Sequence, residues 1–141
     1  SDDSLSLSES HATQQSKSMT MSKGLALIIE DDMKLASIFS YALKEVNFET
    51  EVTYDGESAL TRLKEIVPNV IVLDLHLPFV SGVEILNFIR SDEQLKEVPV
   101  MLATADAIMG ESLRDQADLV LLKPISVRQL QRLAERLQTL P

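Results

Sequence analysis

From Gly24 onward, short unbroken apolar runs alternate with stretches whose apolar residues recur every three to four positions. LALII (25–29) has no polar interruption, as in a strand covered on both faces. Asp32 then precedes Leu35, Ile38, Phe39, Ala42, Leu43 and Val46, which fall on one helical face, with Asp32 as the N-cap. FETEVTY (48–54) alternates, predicting a strand exposed on one side or near an edge. ESALTRLKEIV (57–67) predicts a helix with Leu60, Leu63 and Val67 inward and Pro68 closing it. NVIVLD (69–74) is the next buried strand, and VEILNFIRS (83–91) a short helix after Gly82. VPVMLAT (98–104) is a strand in which Pro99 is tolerated near the start. Residues 107–116 form a weak helix and DLVLLK (118–123) the last strand. VRQLQRLAERLQTL (127–140) is amphipathic, with Leu130, Leu133, Leu137 and Leu140 inward.

Strand and helix therefore alternate five times. Buried strands separated by amphipathic helices imply an α/β fold, a parallel sheet with helices on both faces. Right-handed crossovers bring every strand C-terminus to one edge, where such folds bind ligands.

Composition changes this picture in a few places. The chain has 141 residues, enough for one domain with a single core. Residues 1–22 are rich in Ser, Thr and Gln and lack an aromatic residue. They are expected to form a disordered tail ahead of a domain over 23–141. With 13 basic and 22 acidic residues the net charge is −9, which argues against direct nucleic-acid binding. The absence of cysteine excludes disulfides and thiolate metal sites. No apolar run is long enough for a membrane span and no secretory signal is visible, so a cytoplasmic protein is expected.

The polar residues at the predicted strand ends carry the chemistry. The first strand ends in Glu30-Asp31-Asp32, the third in Asp74, the fourth in Thr104-Ala105 and the fifth in Lys123-Pro124. Clustered carboxylates repel one another, and a hard divalent cation such as magnesium relieves that repulsion through oxygen ligands. One carboxylate can then attack a phosphoryl group while a lysine and a hydroxyl stabilise its oxygens. Each residue also has a plainer reading. Asp74 alone could cap a loop, and Asp32 reads as a cap rather than a metal ligand. Glu30 or Lys123 could be a surface charge, and Thr104 a β-branched strand residue.

Together LIIEDD (27–32), VLDLHLPFVSG (72–82), LATA (102–105) and LLKPIS (121–126) resemble the receiver domain of two-component response regulators, over residues 24–140. The resemblance implies a flavodoxin-like sheet of strand order 2-1-3-4-5. It implies that Asp74 is the phosphoacceptor and that Thr104 and Lys123 grip the phosphoryl group. It implies magnesium held by Glu30, Asp31, Asp74 and the main-chain carbonyl of His76, with Pro78 and Gly82 shaping the loop after the acceptor. The implied partners are a histidine kinase or a histidine phosphotransfer protein, and a downstream protein or an output domain outside this chain. The implied chemistry is self-catalysed phosphotransfer and dephosphorylation, not that of a conventional enzyme. The His76 side chain stands where it could hinder attacking water.

Two departures bear on output. Val120 occupies the place where receivers carry an aromatic switch residue. The stretch from Thr104 to Lys123 is about one helical turn short of the family pattern, so the fourth helix is expected to be shortened or remodelled. An alternative is a receiver-like module that signals by binding alone. A haloacid-dehalogenase-type phosphatase would want an acid where His76 stands, and no Gly-rich loop supports a nucleotide-binding Rossmann domain.

Overall fold

The computed structural model describes residues 22–139. The elements are β1 (Leu25–Ile29), α1 (Met33–Glu45), β2 (Glu49–Thr53), α2 (Gly56–Leu63), β3 (Val70–Asp74), α3 (Gly82–Ser91), β4 (Val100–Thr104), α4 (Ala107–Ser112), β5 (Leu119–Leu122) and α5 (Val127–Thr139). The five strands lie in the order β2-β1-β3-β4-β5, each neighbour parallel to the next. This is the expected order, and all five C-terminal ends share one edge.

Side chains alternate across a strand, so each unbroken apolar run feeds two cores. On one face Leu27, Ile29, Ile71, Leu73, Val100 and Leu102 pack against Ala59 and Leu63 of α2 and Ile85, Leu86 and Ile89 of α3. On the other, Ala26, Ile28, Val70, Val72, Met101 and Leu121 meet Phe39, Ala42 and Leu43 of α1 and Leu130 and Ala134 of α5. That double burial is why β1, β3 and β4 show no polar alternation.

Several boundaries differ from the periodicity. Helix α2 ends at Leu63, so Val67 lies beyond it and is exposed rather than inward. Ile38 is also exposed, because the apolar stripe of α1 is wider than the surface the sheet covers. Helix α4 is six residues long, and residues 113–116 are turns. The short Thr104-to-Lys123 stretch leaves no room for more. The expected tail, apart from Ser22, and Leu140 lie outside the described residues. No helix among the described residues is long and apolar enough to cross a membrane.

Candidate active site at the sheet edge

Strand β1 delivers Glu30, β3 delivers Asp74 and β5 delivers Lys123 to the same edge. All three follow apolar runs, so their side chains emerge where the core ends. Glu30 and Asp74 are buried, at 1% and 4% exposure, whereas Asp31 is exposed. One oxygen from each of Glu30, Asp31 and Asp74 lies within 4.8 Å of the others. An all-oxygen set of this kind suits a hard cation. Lys123 Nζ donates to Glu30 Oε1 at 3.0 Å and stands 3.5 Å from Asp74 Oδ1. The Lys123–Pro124 peptide is cis.

The charges are not balanced. Burial, aided by the Asp74 charge, pushes the Glu30 carboxyl well above the ordinary carboxylate range, although the Asp32 N–H and Lys123 pull the other way. For Lys123, burial opposes its charge. The hydrogen bond to Glu30 and the charges of Asp74 and Glu30 outweigh that, holding it protonated above the ordinary lysine value. One ammonium thus serves a buried carboxyl pair, with Asp31 beside them.

The loop after β3 fixes Asp74. The His76 N–H donates to Asp74 Oδ1 at 3.1 Å, while the His76 side chain is exposed. The Gly82 N–H donates to Leu75 O at 3.1 Å, and a Cβ on Gly82 would come within 2.4 Å of Asp74 O. Only glycine lets the start of α3 approach the Asp74 backbone this closely. Ser81 and Glu84 cap that helix reciprocally. Phe79, in the same loop, has φ +68° and is fully exposed.

Thr104 is brought to the edge, where its carbonyl accepts the Lys123 N–H at 2.8 Å, but its hydroxyl makes no hydrogen bond to the carboxylates or to the Lys123 ammonium. Its Oγ1 accepts the Asp106 N–H at 2.9 Å, and Asp106 caps α4 by accepting the Met109 N–H at 3.0 Å. Sequence reasoning missed Asp106, although an acid directly before a helical stretch is a capping signal. It also began α3 one residue late, although Ser81 and Glu84 spell a capping box.

The chain's matches agree with this architecture. The family model of the response regulator receiver domain matches residues 26–135. The DNA-binding response regulator MtrA of Mycobacterium tuberculosis is 33% identical over 109 residues, which cover 74% of this chain and 46% of MtrA. The chain therefore spans about half the length of that relative. The polar-differentiation response regulator DivK of Brucella ovis is 34% identical over 104 residues, covering 72% of this chain and 85% of DivK. Among solved structures, the receiver domain of a sensor histidine kinase from Pseudomonas aeruginosa, described with magnesium coordinated in its active site cleft, is 24% identical. It has a TM-score of 0.75 and the match covers 82% of this chain and 97% of that one, a likeness of fold. The chain belongs to the response regulator receiver domains, which are signalling modules of two-component systems.

Proposed function

We propose that residues 23–141 form a phosphoacceptor module that takes a phosphoryl group onto Asp74 from the phosphohistidine of a histidine kinase or phosphotransfer protein. The observation that carries this reading is the convergence of Glu30, Asp31, Asp74 and Lys123 on one edge, with too little positive charge for the acids present.

Asp74 Oδ1 is engaged by the His76 N–H and faces Lys123, which leaves Oδ2 to attack phosphorus. The new O–P bond forms as the N–P bond of phosphohistidine breaks, and its electron pair returns to the imidazole. The product is an acyl phosphate on Asp74. Lys123 leaves Glu30 to neutralise a phosphoryl oxygen, and the Thr104 hydroxyl has a proton to donate to another. Glu30, Asp31, Asp74 and the His76 carbonyl would hold magnesium, which supplies charge neutralisation at the phosphoryl oxygens. A side chain at His76 hinders the water that hydrolyses the product. An unchanged dephosphorylation rate in His76→Ala would remove that role.

The acyl phosphate then biases a two-state equilibrium in the β4–α4 loop and the α4–β5–α5 face, read by a downstream protein or output domain. Because Val120 replaces the family aromatic, the bias is carried by loop and helix repositioning. A cytoplasmic site of action is part of the same proposal. Incubation with acetyl phosphate and magnesium, followed by intact mass measurement, should show the gain of one phosphoryl group, absent in Asp74→Asn. No gain in the parent chain would leave signalling by binding alone as the better reading.

A further inference from the structure

Glycine costs about 1 kcal/mol relative to alanine inside a helix, so a buried glycine in the middle of a six-residue helix calls for a reason. Gly110 of α4 faces the sheet, and a Cβ built on it would lie 2.8 Å from Val120 Cγ1 and 3.1 Å from Thr104 Cγ2. Both distances are tighter than ordinary carbon contacts. Helix α4 therefore seats on β4 and β5 through a notch, and the methyl of Thr104 occupies it.

The other substituent of the Thr104 Cβ is the hydroxyl. Methyl and hydroxyl turn together about χ1, and a β-branched side chain has few open wells. With the methyl in the notch and Oγ1 accepting the Asp106 N–H, both ends of the side chain are fixed by α4 and its cap. Thr104 is fully buried, so no solvent-filled space offers an alternative rotamer.

We infer that Gly110 is a positioning residue for phosphotransfer: its missing side chain holds the Thr104 hydroxyl in the orientation from which it meets the phosphoryl group. This rests on the phosphoacceptor reading above and adds to it a residue that acts through Thr104. A methyl at position 110 pushes the Thr104 methyl out and carries the hydroxyl with it. Val120, half-buried beside the notch, supplies its second wall and no chemistry.

The test is the rate of phosphoryl gain from acetyl phosphate and magnesium, followed by intact mass, in three paired comparisons. Gly110→Ala in the parent chain should slow the reaction about fivefold or more, because a misplaced donor is costly in transfer chemistry. In a Thr104→Ser background, which keeps the hydroxyl and removes the methyl that the new Cβ meets, the same substitution should cost less than about twofold. In a Val120→Ala background, which relieves the closest contact and protects folding, the loss should persist. Gly110→Ala should lower the unfolding temperature of the parent chain, where the new Cβ meets Val120 Cγ1 at 2.8 Å, and change it little in the Val120→Ala background, where that contact is gone and alanine favours the helix. An unaltered rate in Gly110→Ala overturns the inference, as does an equal loss in the Thr104→Ser background or full rescue by Val120→Ala. A parent chain that gains no phosphoryl group overturns the phosphoacceptor reading itself, whereas the other three outcomes leave that reading standing.

Discussion

Asp74 and Asp118 stand at opposite ends of the same sheet and meet opposite fates. Asp118, just before β5, accepts the Val100 N–H at 2.8 Å and Arg90 Nη2 at 3.0 Å. Arg90 also donates to the carbonyls of Gln116 at 2.7 Å, Lys96 at 2.9 Å and Val98 at 2.8 Å. One guanidinium thus ties the end of α3 to the entries of β4 and β5, with a carboxylate matched to it. At the other end, Asp74 shares one ammonium with Glu30 and has Asp31 nearby. The matched end holds strands together. The mismatched end stores unfavourable negative charge that a hard cation would relieve.

The largest test of this contrast is Arg90→Ala. It leaves carbonyls and a carboxylate with unmet hydrogen-bonding capacity near the sheet, and should cost about 2–3 kcal/mol by denaturant unfolding. Asp74→Asn, by contrast, removes a buried negative charge from a crowd of acids. In chelator-containing buffer it should leave stability unchanged or raise it by up to about 1 kcal/mol. A loss of equal size in both variants would erase the distinction between the two ends.

Magnesium sharpens the same comparison. A cation that binds the folded chain raises its unfolding temperature with concentration. The parent should show that rise, and Asp74→Asn should show a smaller one or none. Asp118→Asn should keep the full rise while starting from a lower temperature. Equal magnesium responses in Asp74→Asn and the parent would place the cation elsewhere.

The two ends also differ in how far the sequence discloses them. The mismatched end was legible because every member follows an apolar run: VIVL ends in Asp74, LALII in Glu30, and LVLL in Lys123. A polar residue at the end of a buried strand has few places to go, and parallel topology gathers those places. The short stretch before Lys123 likewise foretold a small α4, which spans Ala107–Ser112. The Arg90 brace was not legible, because its partners include main-chain carbonyls at 96, 98 and 116 that any residue would supply. Ile38 and Val67 misled because periodicity reports an apolar stripe, not how much of that stripe a neighbour covers. The Thr104 hydroxyl was expected among the carboxylates. Its bond to the Asp106 N–H depends on the turn into α4, which spacing does not encode.

Strain adds a smaller effect at the mismatched end. Phe79 holds φ +68° with its side chain fully exposed, so it gains little from burial and bears the cost of a left-handed backbone. Phe79→Asn keeps a side chain while favouring that conformation, and should stabilise the chain by up to about 1 kcal/mol. A destabilised variant would show that the ring makes contacts that repay the strain.

The smallest effect concerns a third carboxylate, Glu51 on the edge strand β2, which is paired like Asp118 but lies nearer to solvent. Its two oxygens meet Nε and Nη2 of Arg62, the second at 3.0 Å, and the Arg62 hydrogen bond holds its carboxyl below the ordinary glutamate value of 4.5. A lowered folded value means that the unfolded chain takes up the proton first as pH falls. The pair's contribution is therefore full above pH 4.5 and is lost as pH drops through the folded value. The unfolding temperature of the parent should exceed that of Glu51→Gln slightly at neutral pH. The gap should close on acidification and shrink in high salt, because both partners are about a third exposed. A gap that persists in acid would mean that Glu51 acts through packing of its stem and not through its charge, and pairing at this edge would then differ in kind from the brace at Asp118.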